Sequence, residues 1–482
     1  MDAALLIFLA LFAGALAAAV LRLGFGFRGT DFLFLLMALL PAVWMSRLNQ
    51  YSVTFGGSPF FLLWWVLGFL SLVLLWFPNG QTRGLLRVPF RKLSVVLVAL
   101  FGFFTISNAA NAETDGDVIV GIHASCAHLS AVVAAWLTVR CCRINDARIP
   151  QIVLALLIVG AGVAALSVLS ALMPGMFRSI VATEKTVLET GRGFSPIGGP
   201  AATAMTLLMA YCLACGQLLG GRRRLLSAGI LGLCFLGMLT TLARAAVLSF
   251  AISNLYLFRG LWRGFGRRTL VLAIVTAVVL VPAGIWLGRV YSLERLISDV
   301  PGQAAGRSVA ARSMSMKAAF HFGATHPWLG GGWGLVYPFA RDDPLGQGRV
   351  QLVYIDGYPS LTKPHTLFGL VFAEAGVPGL FLLLLYFWGM WRCLSPPDVA
   401  ASAYGYGVVQ GFRAGFLSFM AMSVVQDTLI TTTKLALYFY LFAIMGMAVS
   451  AHYRMERSGT AEGFLIPVSE AGRRRRWPVG QS

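Results

Sequence analysis

Charge is the scarcest property of this sequence. Only 12% of its 482 residues are Asp, Glu, Lys or Arg, against roughly a quarter in soluble domains. Acidic residues are rarer still, 19 against 38 basic ones, which leaves a net charge of +19. With 58% hydrophobic residues and a mean hydropathy of +0.76, this shortage excludes a water-soluble fold and predicts an integral membrane protein. The positive excess does not read as a nucleic-acid surface. It is clustered in short segments between apolar runs, as the Lys/Arg bias of cytoplasmic loops requires. Histidine is limited to six residues. His123 and His128 are five apart and share a helix face poorly, and His321, His326 and His452 have no ligand spacing either. No Walker loop or Rossmann turn occurs, so no metal or cofactor is expected. None of the seven cysteines falls in a segment expected outside, and no structural disulfide is expected. Cys212 and Cys215 form a CxxC, but within an apolar run, where packing outweighs redox or metal chemistry. No basic stretch precedes the apolar residues 3–21, so they read as a first span and not as a cleavable signal.

What is abundant is span-length apolar sequence. A hydrocarbon core of about 30 Å needs roughly 20 helical residues. Candidate spans are 3–21, 31–46, 59–77, 93–108, 118–139, 150–173, 200–219, 225–241, 244–258, 269–288, 367–391, 406–426 and 434–452. The run 225–258 is too long for one crossing, is broken only by Arg244, and reads as two short helices meeting at a tight turn. Basic clusters fall in alternate loops: Arg22 and Arg28; Arg83, Arg87, Arg91 and Lys92; Arg140, Arg143 and Arg148; Arg222 to Arg224; Arg259 to Arg268; Arg392; and Arg473 to Arg476. One orientation satisfies all of them, with the N-terminus out and the C-terminus in. The outer face then collects 109–117, 174–199, 242–245, 289–366 and 427–433. The expected fold is all-α and polytopic, with about 12–13 transmembrane helices and one large, partly helical outer loop. Its parts are an N-terminal bundle (1–288), that loop (289–366), C-terminal spans (367–453) and a polar, basic tail (454–482) expected to be disordered.

Several polar residues on the outer side invite a chemical reading, each with a plainer alternative. Arg244, in LTTLARAAVLSF, either faces a cavity or an anion or snorkels to the interface. Arg192, in ETGRGFSPIGGPAATAM, precedes a span through irregular, Gly/Pro-marked backbone; by itself it is a loop arginine. Arg312, with Arg307 as near competitor, lies in a helical stretch over about 308–323. There Val309, Met316, Ala319 and Phe320 recur at helical spacing and suggest an amphipathic face that could lie on the membrane surface. The same arginines suit a solvated or headgroup-facing side. In THPWLGGGWG the glycines end the helix and expose N–H groups that can bind an anion or simply let the loop fold, with His326 at the helix exit. His365 sits at a membrane boundary and can take a proton near neutral pH, or serve structurally. Glu374 lies nine residues deeper, about 13 Å along the axis and half a turn round. Pro378 deprives the Glu374 carbonyl of its helical partner, so Glu374 suits a kink as well as chemistry.

Four segments together resemble the O-antigen ligase and polymerase superfamily: RGFSPIGGPAATA entering a span, TTLARAAV between two spans, RSMSMKAAFHFGATHPWLGGGWG, and PHTLFGLVFAEAGVPGL closing the large loop. The resemblance covers roughly residues 180–390. It implies transfer of a glycan from a polyprenyl (undecaprenyl) diphosphate carrier on the periplasmic face of a bacterial inner membrane. The acceptor it implies is lipid A–core or another glycan, and the reaction is metal-independent and inverting. It further implies that Arg192, Arg244 and Arg312 bind the donor diphosphate and that His365 is the essential histidine, with Arg307, Glu374 and His326 as supporting candidates. Three positions depart from the family pattern: Ala243 replaces a small polar residue, Met316 a tryptophan and Thr366 an asparagine. Ligase and polymerase both need these residues and differ in the acceptor; the loop pattern leans toward ligase. A secondary transporter would also explain charged residues near spans, though not readily a loop of this length; a flippase for lipid-linked sugars would share the lipid substrate and is harder to exclude by composition.

Overall fold

The backbone of an apolar segment in a bilayer must satisfy its own hydrogen bonds, and a helix does so locally. The computed structural model describes residues 52–55, 58–61, 80–142, 144–173, 192–195, 197–221, 223–266, 304–336, 352–355, 358–361, 365–399, 402–426 and 433–457. Within them the chain forms α1 (Gly80–Asn111), α2 (Asp115–Cys141), α3 (Ile149–Leu172), α4 (Pro200–Leu219), α5 (Arg224–Thr241), α6 (Arg244–Phe265), α7 (Ala304–Thr325), α8 (Leu367–Cys393), α9 (Ala403–Ser423) and α10 (Thr433–Arg457). Six of them contain stretches long and apolar enough to cross a membrane, and the apolar part of α6 is shorter, at Ala245–Gly260. The fold is an all-α polytopic membrane protein. Nine expected spans coincide with α1–α6 and α8–α10, and the tight turn between α5 and α6 is present. The spans expected at 3–21, 31–46 and 269–288, and the tail beyond 457, lie outside the described residues.

Two small additions were not anticipated. Antiparallel hairpins pair β1 (Ser52–Phe55) with β2 (Ser58–Phe61) and β3 (Leu352–Ile355) with β4 (Tyr358–Leu361), each across a two-residue connection. Residues 59–61 therefore belong to a strand and do not open the span expected at 59–77; the remainder of that span is outside the described residues.

The windows Pro200–Leu219 and Leu435–Arg454 are 94% buried, so α4 and α10 are the centre around which the others pack. Close approach to α4 is made by glycine. Gly407, Gly411 and Gly415 repeat every fourth residue along one face of α9, and a Cβ on Gly411 would stand 2.8 Å from the Cys212 carbonyl oxygen. A Cβ on Gly216 would strike the backbone of Gly407. In a membrane, where apolar burial gives helices no reason to prefer each other over lipid, such small-residue contact supplies the packing that holds them.

Hydrogen bonds sort the helix ends into two sets. At one end Arg454 Nη2 donates to the Cys393 carbonyl at 3.1 Å, Ser450 donates to the Ser395 carbonyl, and His452 Nε2 meets Asp146 at 3.5 Å. Arg148, Arg223, Arg224, Arg259 and Arg392 also belong to helix termini at this end, which is the basic end. At the opposite end α1 passes into α2 through Asn108, whose Nδ2 donates to the Asp117 carbonyl at 3.1 Å. There the first turn of α2 carries Asp115 and Asp117, and Thr114 and Asp117 form a reciprocal capping box, with acidic groups at the positive end of the helix dipole.

Candidate functional site

The end opposite the basic one collects the segments that sequence reasoning singled out. Residues 192–195 and 197–199 reach α4 as irregular, tightly held backbone. The Gly193 N–H donates to the Thr240 carbonyl at 2.7 Å. A Cβ on Gly193 would stand 2.5 Å from both Ser167 Oγ and Thr240 Oγ1, so only glycine fits. The Phe194 N–H donates to Ser170 Oγ at 3.0 Å, and Pro200 opens α4 at the one position where a missing N–H costs nothing. Held this way, Arg192 lies across the end of α5. Its Nε donates to the Thr241 carbonyl at 3.0 Å and its Nη2 to the Leu242 carbonyl at 3.3 Å.

Those carbonyls are open because α5 stops abruptly. Leu242 is left-handed at φ +49°, Ala243 is extended, and Arg244 is the first residue of α6. Arg192 thus satisfies carbonyls at the negative end of the α5 dipole. The N-cap of α6 is Ala243, which contributes no side-chain cap; its carbonyl accepts the Ala246 N–H at 2.9 Å, and the N–H groups ahead of Ala246 get no acceptor from that side chain. Two arginines and a helix N-terminus therefore share one turn, although 52 positions separate Arg192 from Arg244 in the sequence.

The second half of the site is built by α7 and α8. Ala319 packs beside Gly369, and Gly323 beside Phe372. Contacts that advance together along both helices mean they run in the same direction. Arg312 is seven residues before Ala319 and His365 four before Gly369, about 10 Å and about 6 Å back at 1.5 Å per residue. The Arg312 position is therefore nearly level with His365. Seven residues return a helix to within about 20° of the same face, whereas the twelve from Arg307 to Ala319 leave it about 120° away.

The buried side of α7 is made of small residues. Ala319 is buried, but Met316 and Phe320 are 36% and 41% exposed, and the inward face is Ser315, Ala318 and Ala319. Small side chains let α7 dock closely on the first half of α8 instead of lying apart on a surface. The side chain of Val309 is outside the described residues.

His365 occupies a corner. Its φ is +50°, a left-handed conformation uncommon for a residue with a side chain. Thr366 follows as N-cap of α8, its hydroxyl accepting from the Gly369 N–H at 3.4 Å. Threonine and asparagine are both N-cap formers, so the departure at this position keeps the local function. His365 is half-buried, with Nδ1 shielded from solvent.

Glu374 and the glycine-rich loop explain each other. α8 is broken at Gly376 (φ +64°, ψ −163°), just before Pro378. The break strips the carbonyls of Ala373 and Glu374 and the N–H of Val377 of helical partners. One segment supplies all three: Gly331 N–H donates to the Ala373 carbonyl (2.9 Å), Gly332 N–H to the Glu374 carbonyl (3.1 Å), and Val377 N–H to the Pro327 carbonyl (2.8 Å). The fully buried Glu374 carboxylate accepts the Gly334 N–H at 3.1 Å. From α1, Ser107 Oγ lies 2.6 Å from the Leu329 carbonyl and 2.8 Å from that of Glu374, its single proton serving one at a time. Asn108 Nδ2 donates to the Trp333 carbonyl at 3.0 Å, and the Trp333 ring stacks on Phe104 with centroids 3.8 Å apart. These α1 residues were not anticipated; a Ser-Asn pair at the end of an apolar run was their only signal. His326 stands at the exit of α7 as expected. It stacks on Phe322 at 4.3 Å, with Nδ1 3.1 Å from Thr325 Oγ1.

At one end of the bundle, then, Arg192 lies against the turn where α6 begins at Arg244, and α7, which carries Arg312, docks on α8, which follows His365. Residues 228–384 match a family model described as O-antigen ligase. The match takes in Arg244, Arg307, Arg312, His326, His365 and Glu374, and leaves Arg192 outside. No curated protein matches the chain.

Proposed function

We propose, from the match of residues 228–384 to the O-antigen ligase family model, that the chain moves a glycan from a polyprenyl diphosphate carrier to an acceptor at the end of the bundle holding Arg192, Arg244, Arg312 and His365. The carrying observation is convergence. Four segments far apart in sequence reach the same end, and one of them lays Arg192 against the turn that Arg244 closes. The basic residues at the other end support a cytoplasmic side there; on this reading the site faces the periplasm of a bacterial inner membrane.

The chemistry follows from the residue types. A glycosyl diphosphate leaves with developing negative charge. Arginine forks and the positive end of α6 bind phosphate oxygens and stabilise that charge as it forms. His365 takes the proton from the acceptor hydroxyl, which attacks the anomeric carbon as the carbon–oxygen bond to the diphosphate breaks. A single displacement inverts that carbon. No step requires a metal.

The assay combines purified protein with carrier-linked glycan, with and without lipid A–core. Product found only on the core means ligase; longer carrier-linked chains without it mean polymerase. His365→Ala abolishes transfer with the protein still inserted, and Arg244→Lys, which keeps charge but loses the fork, loses most of it. Near-normal transfer by His365→Ala overturns the base assignment.

A further inference from the structure

Arg413 lies ten residues past Ala403, the first residue of α9, about 15 Å along the helix from its basic end. The guanidinium itself reaches back toward that end, over Trp391, two residues from the end of α8, as a snorkelling arginine does. No carboxylate among the described residues pairs with it. What surrounds it is aromatic. Its Cζ stands 4.1 Å over the Trp391 ring of α8, and the Tyr256 hydroxyl of α6 is close enough to feel its charge. Tyr256 and Trp391 meet each other at 5.5 Å. Its Nε is shielded from solvent and has no hydrogen-bond partner. The two rings hold the cation, but they do not neutralise it.

The position of this cleft indicates its occupant. Arg413, Tyr256 and Trp391 are each only partly buried. The flanks are apolar and open: Leu255 and Phe258 on α6 and Leu384 and Trp388 on α8 are exposed, as surfaces facing acyl chains are. Toward the basic end stand two further cations. Arg259 is one turn beyond Tyr256 on the same face and exposed, and Arg392 follows Trp391 and lies 5.6 Å over Trp388. Tyr406 ties α9 to α6 at this level, its hydroxyl donating to the Gly260 carbonyl at 2.6 Å. A ligand suited to this place has a phosphate for Arg413, lacks a cationic headgroup that Arg259 and Arg392 would repel, and has hydrocarbon to lie along α6 and α8. We infer that the cleft between α6, α8 and α9 binds the phosphodiester of an anionic phospholipid from the leaflet at the basic end, with Arg413 as its innermost contact. The site is separate from the glycan-transfer end and does not depend on that activity.

The test is native mass spectrometry of delipidated protein in detergent, titrated in parallel with phosphatidylglycerol, phosphatidylcholine and inorganic phosphate. The expected result is one retained phosphatidylglycerol, held at least tenfold more tightly than phosphatidylcholine. That retention is lost in Arg413→Gln and weakened several-fold in Arg413→Lys, which keeps the charge at lower risk to folding. The double variant Arg259→Gln/Arg392→Gln narrows the preference between the two lipids. Equal retention of phosphatidylglycerol by wild type and Arg413→Lys overturns the proposal, as does wild-type protein that holds inorganic phosphate but no lipid.

Discussion

Replacing Glu374 by alanine isolates what its carboxylate does. In the folded protein this side chain is fully buried and accepts the Gly334 N–H at 3.1 Å. Alanine leaves that N–H without its acceptor, and an orphaned buried donor costs about 1–3 kcal/mol. The other anchors of the loop persist, namely the Gly331, Gly332 and Val377 backbone bonds and the Trp333–Phe104 stack. The loss therefore falls on local opening of the loop and not on insertion of α8. A cost of that size raises the open population about 5- to 150-fold. Hydrogen exchange on a peptide covering residues 327–336 reads this directly, with faster exchange confined to that segment. Glutamine retains an acceptor oxygen, so Glu374→Gln exchanges near the wild-type rate and transfers glycan near the wild-type rate. Unchanged exchange in Glu374→Ala refutes the clamp. An inactive Glu374→Gln with a protected loop shows instead that the carboxylate takes part in chemistry.

Three further substitutions probe the same framework. Gly376→Ala forces a side chain into backbone that only glycine adopts and within 2.5 Å of the Pro327 carbonyl oxygen; a loss of at least about 1–3 kcal/mol should appear as earlier thermal unfolding in detergent. Thr366→Asn keeps an N-cap acceptor and leaves that stability unchanged, whereas Thr366→Ala costs about 1 kcal/mol. Gly411→Leu, placed against the Cys212 backbone, prevents α9 from seating on α4 and yields protein that inserts but elutes as aggregate on size exclusion.

Helices that pack by apolar length were legible in the sequence, because period and length decide them. The residues 200–219 were bounded as the structure has them, and the Arg244 turn followed from a run too long for one crossing and too short for two without a sharp corner. On α7 the apolar spacing gave an amphipathic face, and what it did not tell is which members dock: Ala319 is buried with Ser315 and Ala318, whereas Met316 and Phe320 stay exposed. The hairpins were missed although Phe55-Gly-Gly-Ser58 and Ile355-Asp-Gly-Tyr358 have the two-residue turn chemistry of tight hairpins; short strands beside long apolar runs are read as parts of those runs. In the candidate site, single residues were recognisable, but their supports were not. Nothing local tells that Arg192 closes α5, or that Ser107 and Asn108 hold a loop more than 200 positions away.

The break in α8 also sets an order of assembly. Until residues 327–332 arrive, two carbonyls and one N–H of α8 lack partners, and in hydrocarbon each such group costs several kcal/mol. The segment that satisfies them, and the Ser107 hydroxyl beside it, both precede α8 in the chain. During synthesis these partners are therefore made before the span that needs them, and α8 can complete its backbone bonding as it emerges. A circular permutation that moved residues 304–336 behind α8 would keep every final contact yet reverse that sequence of events, and would leave the broken span waiting in the membrane with its polar groups unmet.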